Sequence, residues 1–325
     1  MRKKFFKKLI CLLLLIVSTL TSCVSSFDNP YSYRRMDLVI NNSHDDMFSK
    51  AYANDFIIPS YTSNILQDNI NALSYFVGSI ERNKSDYTKY KDPYMQLPIA
   101  SLTKLMTFLV TIKNCDDLNK EFTVSKEALD IDKNSSVAGY KEGDIVKVID
   151  LLYGLMVPSG NDAANVLAEN LVDGGYQNFY LLMNNEAERL GCKNTHFANA
   201  TGLDSDYHYS CCYDMYLIMA ELNKYDLFKQ ICLTKEYNST IRDEYGATRN
   251  VSFKATNMFL TNEVLMSNNV NMLAAKTGTT TNAGYCLIIL AEDKRSKIKY
   301  ISVVLNASNK RSSYNNNNAL LGGIK

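Results

Sequence analysis

Residues 99–112 read Ile99-Ala100-Ser101-Leu102-Thr103-Lys104-Leu105-Met106-Thr107-Phe108-Leu109-Val110-Thr111-Ile112, directly after Pro98. Apolar side chains in this run cover almost the whole circumference of a helix, which is typical of a helix buried in the core. Ser101 and Lys104 stand three residues apart, so they share one face of that helix. The run therefore predicts a buried helix that holds a hydroxyl next to an amine.

Two further short motifs follow along the chain, each in a different structural setting. Ser159-Gly160-Asn161 lies in a tight loop between a helix predicted over 146–157 and another predicted from Asp162 through Leu171. Lys276-Thr277-Gly278 occurs once, at the end of a strand predicted over 272–277. Three motifs in this order, each in the secondary structure that it requires, are far more specific than any one of them alone.

Second copies of two motifs are present, but in unsuitable settings. Ser296 to Lys299 repeats the Ser-x-x-Lys spacing in a predicted strand, where residues i and i+3 point to opposite faces. Ser-x-Asn also occurs at 267–269 and 313–315, in asparagine-rich segments predicted to be loops. Only Ser159 lies between two apolar helices, so we take Ser101 and Ser159 as the candidates.

Ser101 and Lys104 have a chemical and a purely structural interpretation. A serine hydroxyl is a poor nucleophile until a base removes its proton. A buried lysine near a second cation such as Lys276 has a lowered pKa and can be a neutral amine base, and a helix N-terminus offers N–H groups to an oxyanion. In the structural interpretation Ser101 caps the helix and Lys104 lies on the surface. The apolar helix argues against this, because an unpaired lysine buried there is costly.

The distribution of periodic segments predicts an α+β fold. Helices are expected in the middle of the chain, also over 176–190 and 214–222, and polar loops over 194–210 and Asn315–Asn318. Strands are expected over 74–80, 272–277, 284–291 and 297–305. Consecutive strands with short links form an antiparallel meander. One antiparallel sheet should therefore join the two ends of the folded body.

The composition excludes several classes of protein. The chain has 325 residues, 35 basic and 34 acidic side chains and a formal charge of +1. Five of the basic residues lie among the first eight, so the rest of the chain is acidic by about four charges. A nucleic-acid-binding protein would concentrate positive charge instead. With three histidines and no close cluster of histidine, cysteine and carboxylate residues, a zinc hydrolase is also disfavoured.

Residues 1–23 predict an exported lipoprotein. Basic residues from Arg2 to Lys8 precede an apolar stretch over 9–17, which is too short to span a bilayer because that needs roughly 20 residues. Leu20-Thr21-Ser22-Cys23 resembles a bacterial lipobox, whose cysteine is acylated. The alternative is ordinary signal cleavage with an incidental Cys23. We expect a signal peptide over 1–22, then the acylated Cys23 and a polar tether over 23–65. An exported setting permits disulfides, and for the six later cysteines the sequence does not determine the pairing.

The motifs and their surroundings carry a family resemblance. The matching stretches are Pro98 to Thr107, Asp150 to Ala164, Gly191 to Phe197, Thr201 to Asp204 and Lys276 to Tyr285. They resemble the serine DD-peptidases of the low-molecular-mass penicillin-binding class, the D-alanyl-D-alanine carboxypeptidases of family S11, from about residue 72 to 321. The resemblance implies a β-lactamase/DD-peptidase-like fold over 66–325, with an antiparallel sheet flanked by helices plus an all-helical lobe. It implies no metal and no organic cofactor.

The resemblance also implies a role for each matching catalytic residue. Ser101 would attack the carbonyl of the penultimate D-Ala and form an acyl-enzyme, with Lys104 as general base. Ser159 would relay a proton towards the leaving amine, and Asn161 would hold Lys104 and the substrate amide. Asp162 is expected to be a structural residue of the following helix.

The remaining matching residues would bind the substrate. Lys276 and Thr277 would hold the terminal carboxylate, and Gly278 would let the strand approach the substrate backbone. The N–H groups of Ser101 and Thr279 would form the oxyanion hole. This chemistry needs no histidine, so His196 and His208 are expected to make structural hydrogen bonds.

The resemblance implies a membrane-anchored enzyme of the bacterial cell envelope that removes the terminal D-Ala from peptidoglycan stem peptides, is acylated by β-lactams and binds no nucleic acid. Many relatives carry a C-terminal all-β domain and an amphipathic anchor helix; we expect neither here, with the lipid on Cys23 replacing the helix. A DD-endopeptidase and a non-catalytic wall-binding lipoprotein remain alternatives. A class A β-lactamase is a third, although the Glu-x-x-Leu-Asn stretch of that class is not found after Ser159.

Overall fold

The computed structural model describes residue 56 and residues 70–81 and 87–324. The predicted signal peptide, Cys23 and all of the predicted tether except Phe56 lie outside the described residues. Phe56 is buried and packs edge to face on Tyr216, with 5.7 Å between the ring centroids, so this position of the predicted tether lies against the folded body. Within the described ranges, no helix has both the length and the apolar character needed to cross a bilayer.

Nine strands form two antiparallel sheets in the described part of the chain. They are β1 (Ala72–Ser79), β2 (Thr88–Lys91), β3 (Glu121–Thr123), β4 (Ile145–Lys147), β5 (Glu236–Arg242), β6 (Thr248–Lys254), β7 (Val270–Thr280), β8 (Gly284–Asp293) and β9 (Lys299–Ala307). The larger sheet has the order β2-β1-β9-β8-β7. Because β1 pairs with β9, this sheet joins the two ends of the body, and the predicted meander of β7, β8 and β9 is confirmed.

Helices cover both faces of the larger sheet. The described helices are α1 (Lys104–Asn114), α2 (Val148–Met156), α3 (Asn161–Asn170), α4 (Gly175–Arg189), α5 (Cys212–Leu222), α6 (Asp226–Cys232) and α7 (Lys310–Gly322). Successive residues of a strand point to opposite faces. Accordingly, Ile288 and Leu290 of β8 pack in one core with α1 and α5, whereas Leu287 and Ile289 pack in a second core with α7. The α+β fold class predicted from the sequence is confirmed.

The lobe beside the sheet is not all-helical, contrary to the prediction. It carries the smaller sheet, in the order β3-β4-β5-β6. Phe122, Val146 and Phe253 from this sheet are buried in the same core as α2, α3 and α4. Strands of three residues are too short to show a period. The helix predicted over 146–157 therefore includes Val146 and Lys147, which in the structure belong to β4, and the helix begins at Val148.

The asparagine run at 315–318 is helical, contrary to the loop prediction, because it lies within α7. Its side chains bond the backbone of neighbouring segments: Asn316 Nδ2 donates to the carbonyl of Asn71, and Asn317 Nδ2 donates to that of Leu287. Low helix propensity is thus outweighed by tertiary contacts. The second Ser-x-x-Lys copy also differs from prediction, since Ser296 lies in a turn and its hydroxyl bonds Asp293.

Candidate active site

A tight turn of 3-10 helix presents Ser101. The turn spans Ala100–Thr103 and runs directly into α1, so Ser101 lies just outside the α-helix in which the sequence placed it. Lys104 is the first residue of α1 and is completely buried, whereas Ser101 is half-buried. The separation of three residues still brings the side chains together, with Lys104 Nζ 3.0 Å from Ser101 Oγ. The half-buried Ser101 is therefore hydrogen-bonded to an amine that is fully buried.

Two oxygens from distant parts of the chain hold the amine of Lys104. Its Nζ donates to Asn161 Oδ1 at 2.6 Å and to the backbone carbonyl of Thr201 at 2.6 Å. Asn161 is the first residue of α3, and Thr201 lies in the polar loop before α5. An amine has few directions available for hydrogen bonds, so these two partners and Ser101 together determine its orientation.

A second buried lysine, that of the Lys-Thr-Gly motif, bonds the serine of the Ser-Gly-Asn motif. Lys276 on β7 donates from Nζ to Ser159 Oγ at 2.7 Å and to the carbonyl of Thr277 at 2.8 Å. Ser159 is buried and adopts a left-handed backbone conformation with φ of 64°, which is uncommon for a residue with a side chain. The loop before α3 is thus linked to the sheet by the hydroxyl of its central serine.

Burial lowers the pKa of both lysines. The pKa of Lys104 lies well below its ordinary value, chiefly because of desolvation and then because of the nearby charge of Lys276, while Asp162 opposes the shift. Burial lowers the pKa of Lys276 to about 7. A low-dielectric environment disfavours the charged form of an amine. Burial thus favours the uncharged form of both amines, and for Lys104 this is the direction of shift that the sequence predicted.

Two glycines enclose the turn that carries Ser101. At Gly202, which has φ of +87°, an added Cβ would lie 2.0 Å from the carbonyl oxygen of Ala100. At Gly278 on β7, an added Cβ would lie 2.8 Å from the carbonyl oxygen of Ile99 and 3.1 Å from the amide nitrogen of Ser101. Only a hydrogen fits in either place. The turn is consequently clamped between the polar loop and the edge of the sheet.

The Lys-Thr-Gly motif lies on an edge strand of the larger sheet. β7 continues to Thr280, so the motif is internal to the strand and not at its end as predicted. Thr277 is half-buried and Thr279 is exposed. An edge strand offers unpaired backbone groups that an extended peptide can bond. The four predicted substrate-binding residues, 276–279, therefore lie on the edge strand next to Ser101, with Lys276 and Gly278 buried.

Sequence reasoning assigned no role to Thr201 and did not anticipate what Asp162 does. Thr201 belongs to a stretch that matches the family. It accepts the Lys104 hydrogen bond through its backbone carbonyl, and a backbone contact leaves no signal in the side-chain pattern. Asp162 lies in the first turn of α3, as expected. Its carboxylate accepts hydrogen bonds from the amides of Ala138, Gly139 and Tyr140, so it also anchors the loop beside the site.

Comparisons with known proteins agree with this geometry. The sequence pattern of the D-alanyl-D-alanine carboxypeptidase family, peptidase family S11, matches residues 62–309. The chain is 33% identical over 233 residues to the D-alanyl-D-alanine carboxypeptidase DacF of Bacillus subtilis, covering 70% of this chain and 56% of that protein. It is 35% identical over 234 residues to DacC of Escherichia coli, with 70% and 54% covered. The chain thus spans about half the length of these curated relatives.

A solved structure matches as well. The DD-transpeptidase of Streptomyces K15 superimposes with a TM-score of 0.71 at 28% sequence identity, covering 79% of this chain and 98% of that one. Taken with the family match over residues 62–309, this establishes that the chain belongs to the D-alanyl-D-alanine carboxypeptidase family.

We expect Gly202→Ala to abolish the reactivity of Ser101, because the new methyl group would collide with the Ala100 carbonyl and displace the turn. Acylation of Ser101 by an activated ester, followed by mass spectrometry, should fall by about 100-fold or more, since a displacement near 1 Å can cost that much. Gly246→Ala is the matched control: Gly246 has φ of +83° but nothing within 4 Å of an added Cβ. Equal reactivity of the two variants would contradict the clamp.

We expect Lys276→Met to shift the pH dependence of Ser101 acylation. The charge of Lys276 lowers the pKa of Lys104, so its removal raises that pKa and moves the acidic limb of the rate profile to higher pH. An uncharged ester should be the reagent, so that any loss of carboxylate binding does not enter. Lys147→Met on β4 is the control, because Lys147 is exposed. An acidic limb that stays in place, or moves to lower pH, would refute the coupling.

Proposed function

We propose that this protein is a serine-type D-alanyl-D-alanine carboxypeptidase that removes the terminal D-Ala from peptidoglycan stem peptides through an acyl-enzyme on Ser101. The observation that carries the proposal is the 3.0 Å contact between Ser101 Oγ and the buried amine of Lys104. Family membership supports the reaction class, and the curated relatives of Bacillus subtilis and Escherichia coli are named as D-alanyl-D-alanine carboxypeptidases.

The acylation step follows from the hydrogen bonds of Lys104. When the amine is neutral, its two N–H bonds are directed to Asn161 and Thr201, and its lone pair is left for the proton of Ser101. Lys104 takes that proton as Ser101 Oγ attacks the carbonyl carbon of the penultimate D-Ala. The negative charge on the carbonyl oxygen is stabilised by the N–H groups of Ser101 and Thr279.

Departure of D-Ala requires a proton on its amine. Ser159 relays it: its hydroxyl, which is bonded to the Lys276 amine, gives its proton to the leaving nitrogen and is reprotonated with the proton that Lys104 took from Ser101, so that Lys104 is neutral again. The C–N bond breaks, D-Ala leaves, and the ester on Ser101 remains. Water then attacks this ester while Lys104 accepts its proton; as the C–O bond to Ser101 breaks, Lys104 returns the proton to Ser101 Oγ and the free hydroxyl is regenerated.

The edge of β7 selects the substrate. We propose that the stem peptide lies extended along residues 276–279, that Gly278 allows close approach, and that Lys276 and Thr277 hold the terminal carboxylate. A carboxylate favours the charged form of Lys276, whose pKa burial has lowered to about 7, so substrate binding should itself raise that pKa. β-Lactams carry a carboxylate and a reactive amide, and they are the expected inhibitors of such a site.

We further propose that the enzyme acts in the bacterial cell envelope, tethered by a lipid on Cys23. The support is the sequence of residues 1–23, with its basic start, short apolar stretch and lipobox-like ending. Residues 23–65 would then connect the lipid to the catalytic body over 66–325.

The reaction is tested with the full-length chain and three substrates: a D-Ala-D-Ala stem peptide, a crosslinked dimer of that peptide and a fluorescent penicillin. Wild-type protein should release D-Ala and form a stable penicillin adduct, and Ser101→Ala should do neither. Ser296→Ala is the matched control, because it removes the serine of the second Ser-x-x-Lys copy, and it should behave as wild type. Rapid penicillin hydrolysis would indicate a β-lactamase, cleavage of crosslinked dimers in place of D-Ala release an endopeptidase, and labelling without turnover a binding protein.

The anchor is tested by fractionating cells that express Cys23→Ser. This variant should leave the membrane fraction and lose incorporation of a labelled fatty acid, because the acylated thiol is gone. Cys11→Ser, in the apolar stretch of the signal, is the control and should stay membrane-bound. A Cys23→Ser protein that remains in the membrane fraction would show that lipid on this residue is not the anchor.

A further inference from the structure

A buried histidine outside the three motifs is bonded to the turn that carries Ser101. His208 lies in the polar loop before α5 and is buried. Its Nε2 lies 2.7 Å from Thr103 Oγ1, and Thr103 Oγ1 donates to the carbonyl of Ala100 at 2.8 Å. Thr103 ends the 3-10 turn and Ala100 begins it. A chain of two hydrogen bonds therefore runs from His208 to the residue immediately before Ser101.

The partners of His208 determine its protonation. The amide of Ala198 donates to His208 Nδ1 at 3.1 Å, so Nδ1 is an acceptor and the ring proton sits on Nε2. The hydroxyl of Thr103 has one proton, which goes to Ala100, and so it accepts from Nε2. A charged ring would lose the Ala198 bond. Burial, with smaller effects of His196 and Lys104, lowers the pKa of His208 to about 3, so the ring is neutral at neutral pH.

The residue held by this chain has an unfavourable backbone conformation. Ala100 has φ of 48°, in the left-handed region that residues with a side chain rarely adopt. Such a conformation persists only where the surroundings hold it. Steric contact with Gly202 keeps the Ala100 carbonyl from moving towards that glycine. It does not keep the carbonyl from moving away. The Thr103 hydroxyl supplies the attraction that keeps the carbonyl in place.

We propose that His208 is a positioning residue of the active site: through Thr103 it fixes the Ala100 carbonyl and thereby the placement of Ser101 against Lys104. This deepens the proposed function and rests on it, because positioning matters only if Ser101 is the nucleophile. His208 touches neither Ser101 nor Lys104 in the hydrogen bonds of the site, so it acts on the chemical step only through the turn.

The test compares His208→Ala, His208→Gln and His196→Gln in the full-length chain. His208→Ala should lower kcat and the rate of Ser101 acylation by an activated ester by about 10- to 100-fold, with KM within about twofold of wild type. The carboxamide of His208→Gln offers an N–H donor to Thr103 and should restore most of the rate. His196 bonds the carbonyl of Tyr207 and not the nucleophile turn, so His196→Gln should keep the wild-type rate.

A second pair of variants keeps the test decisive if His208→Ala does not fold. Thr103→Val removes the hydroxyl at nearly constant volume and should reproduce the loss, whereas Thr103→Ser keeps the hydroxyl and should not. If the bonds form one chain, His208→Ala with Thr103→Val should lose no more than either change alone. Wild-type rates for Thr103→Val, or losses that multiply in the double variant, would overturn the proposal, and so would a loss confined to KM.

The two hypotheses fail in different ways. Wild-type protein that does not release D-Ala from the stem peptide would contradict the proposed function. The ratio of variant to wild-type acylation by the activated ester would still decide the role of His208, because that reaction needs only a correctly placed Ser101.

Discussion

The site depends on one buried amine, that of Lys104. A lysine without contact to solvent is costly as an ammonium, and here burial lowers its pKa while hydrogen bonds to Asn161 and Thr201 hold the amine. In the proposed function, the same burial is what makes this amine a base for the adjacent Ser101. Lys104 lies on α1 and its two acceptors lie on α3 and in the polar loop, while Ser101 lies in the 3-10 turn. The proposed chemistry therefore requires these four segments to be packed together.

Steric constraints on the backbone fix the position of Ser101, and hydrogen bonds fix that of the Lys104 amine. The turn that carries Ser101 is closed in by Gly202 on one side and Gly278 on the other, and both approaches are too close for a β-carbon. Ala100 and Ser159, which precede Ser101 and Gly160, both have positive φ. Strain of this kind is typical of functional sites, where the surrounding structure determines a conformation that the residue alone would avoid.

The two lysines have different electrostatic roles although both are buried. Lys276 lies on the edge strand, where a substrate carboxylate would favour its charge, and that charge in turn lowers the pKa of Lys104. Asp162 acts in the opposite direction on Lys104, but its carboxylate is already bonded by three amides of the loop over 138–140. In the proposed function Lys276 is the cation that binds substrate and Lys104 is the base. The two buried lysines can differ in this way because their neighbours differ.

The sequence alone determined the elements with a strong period and the motifs they carry: the buried helix that begins at Lys104, the three-residue spacing of Ser101 and Lys104, the β7–β9 meander, and the pairing of the two ends in one sheet. These follow from local apolar patterns and from spacing on a helix. The tertiary structure alone decided the smaller sheet of the lobe, the helical state of the asparagine run and the contacts of Thr201, Gly202 and His208. Those depend on backbone carbonyls, on excluded volume and on bonds between residues about 100 positions apart, none of which leaves a local pattern in the sequence.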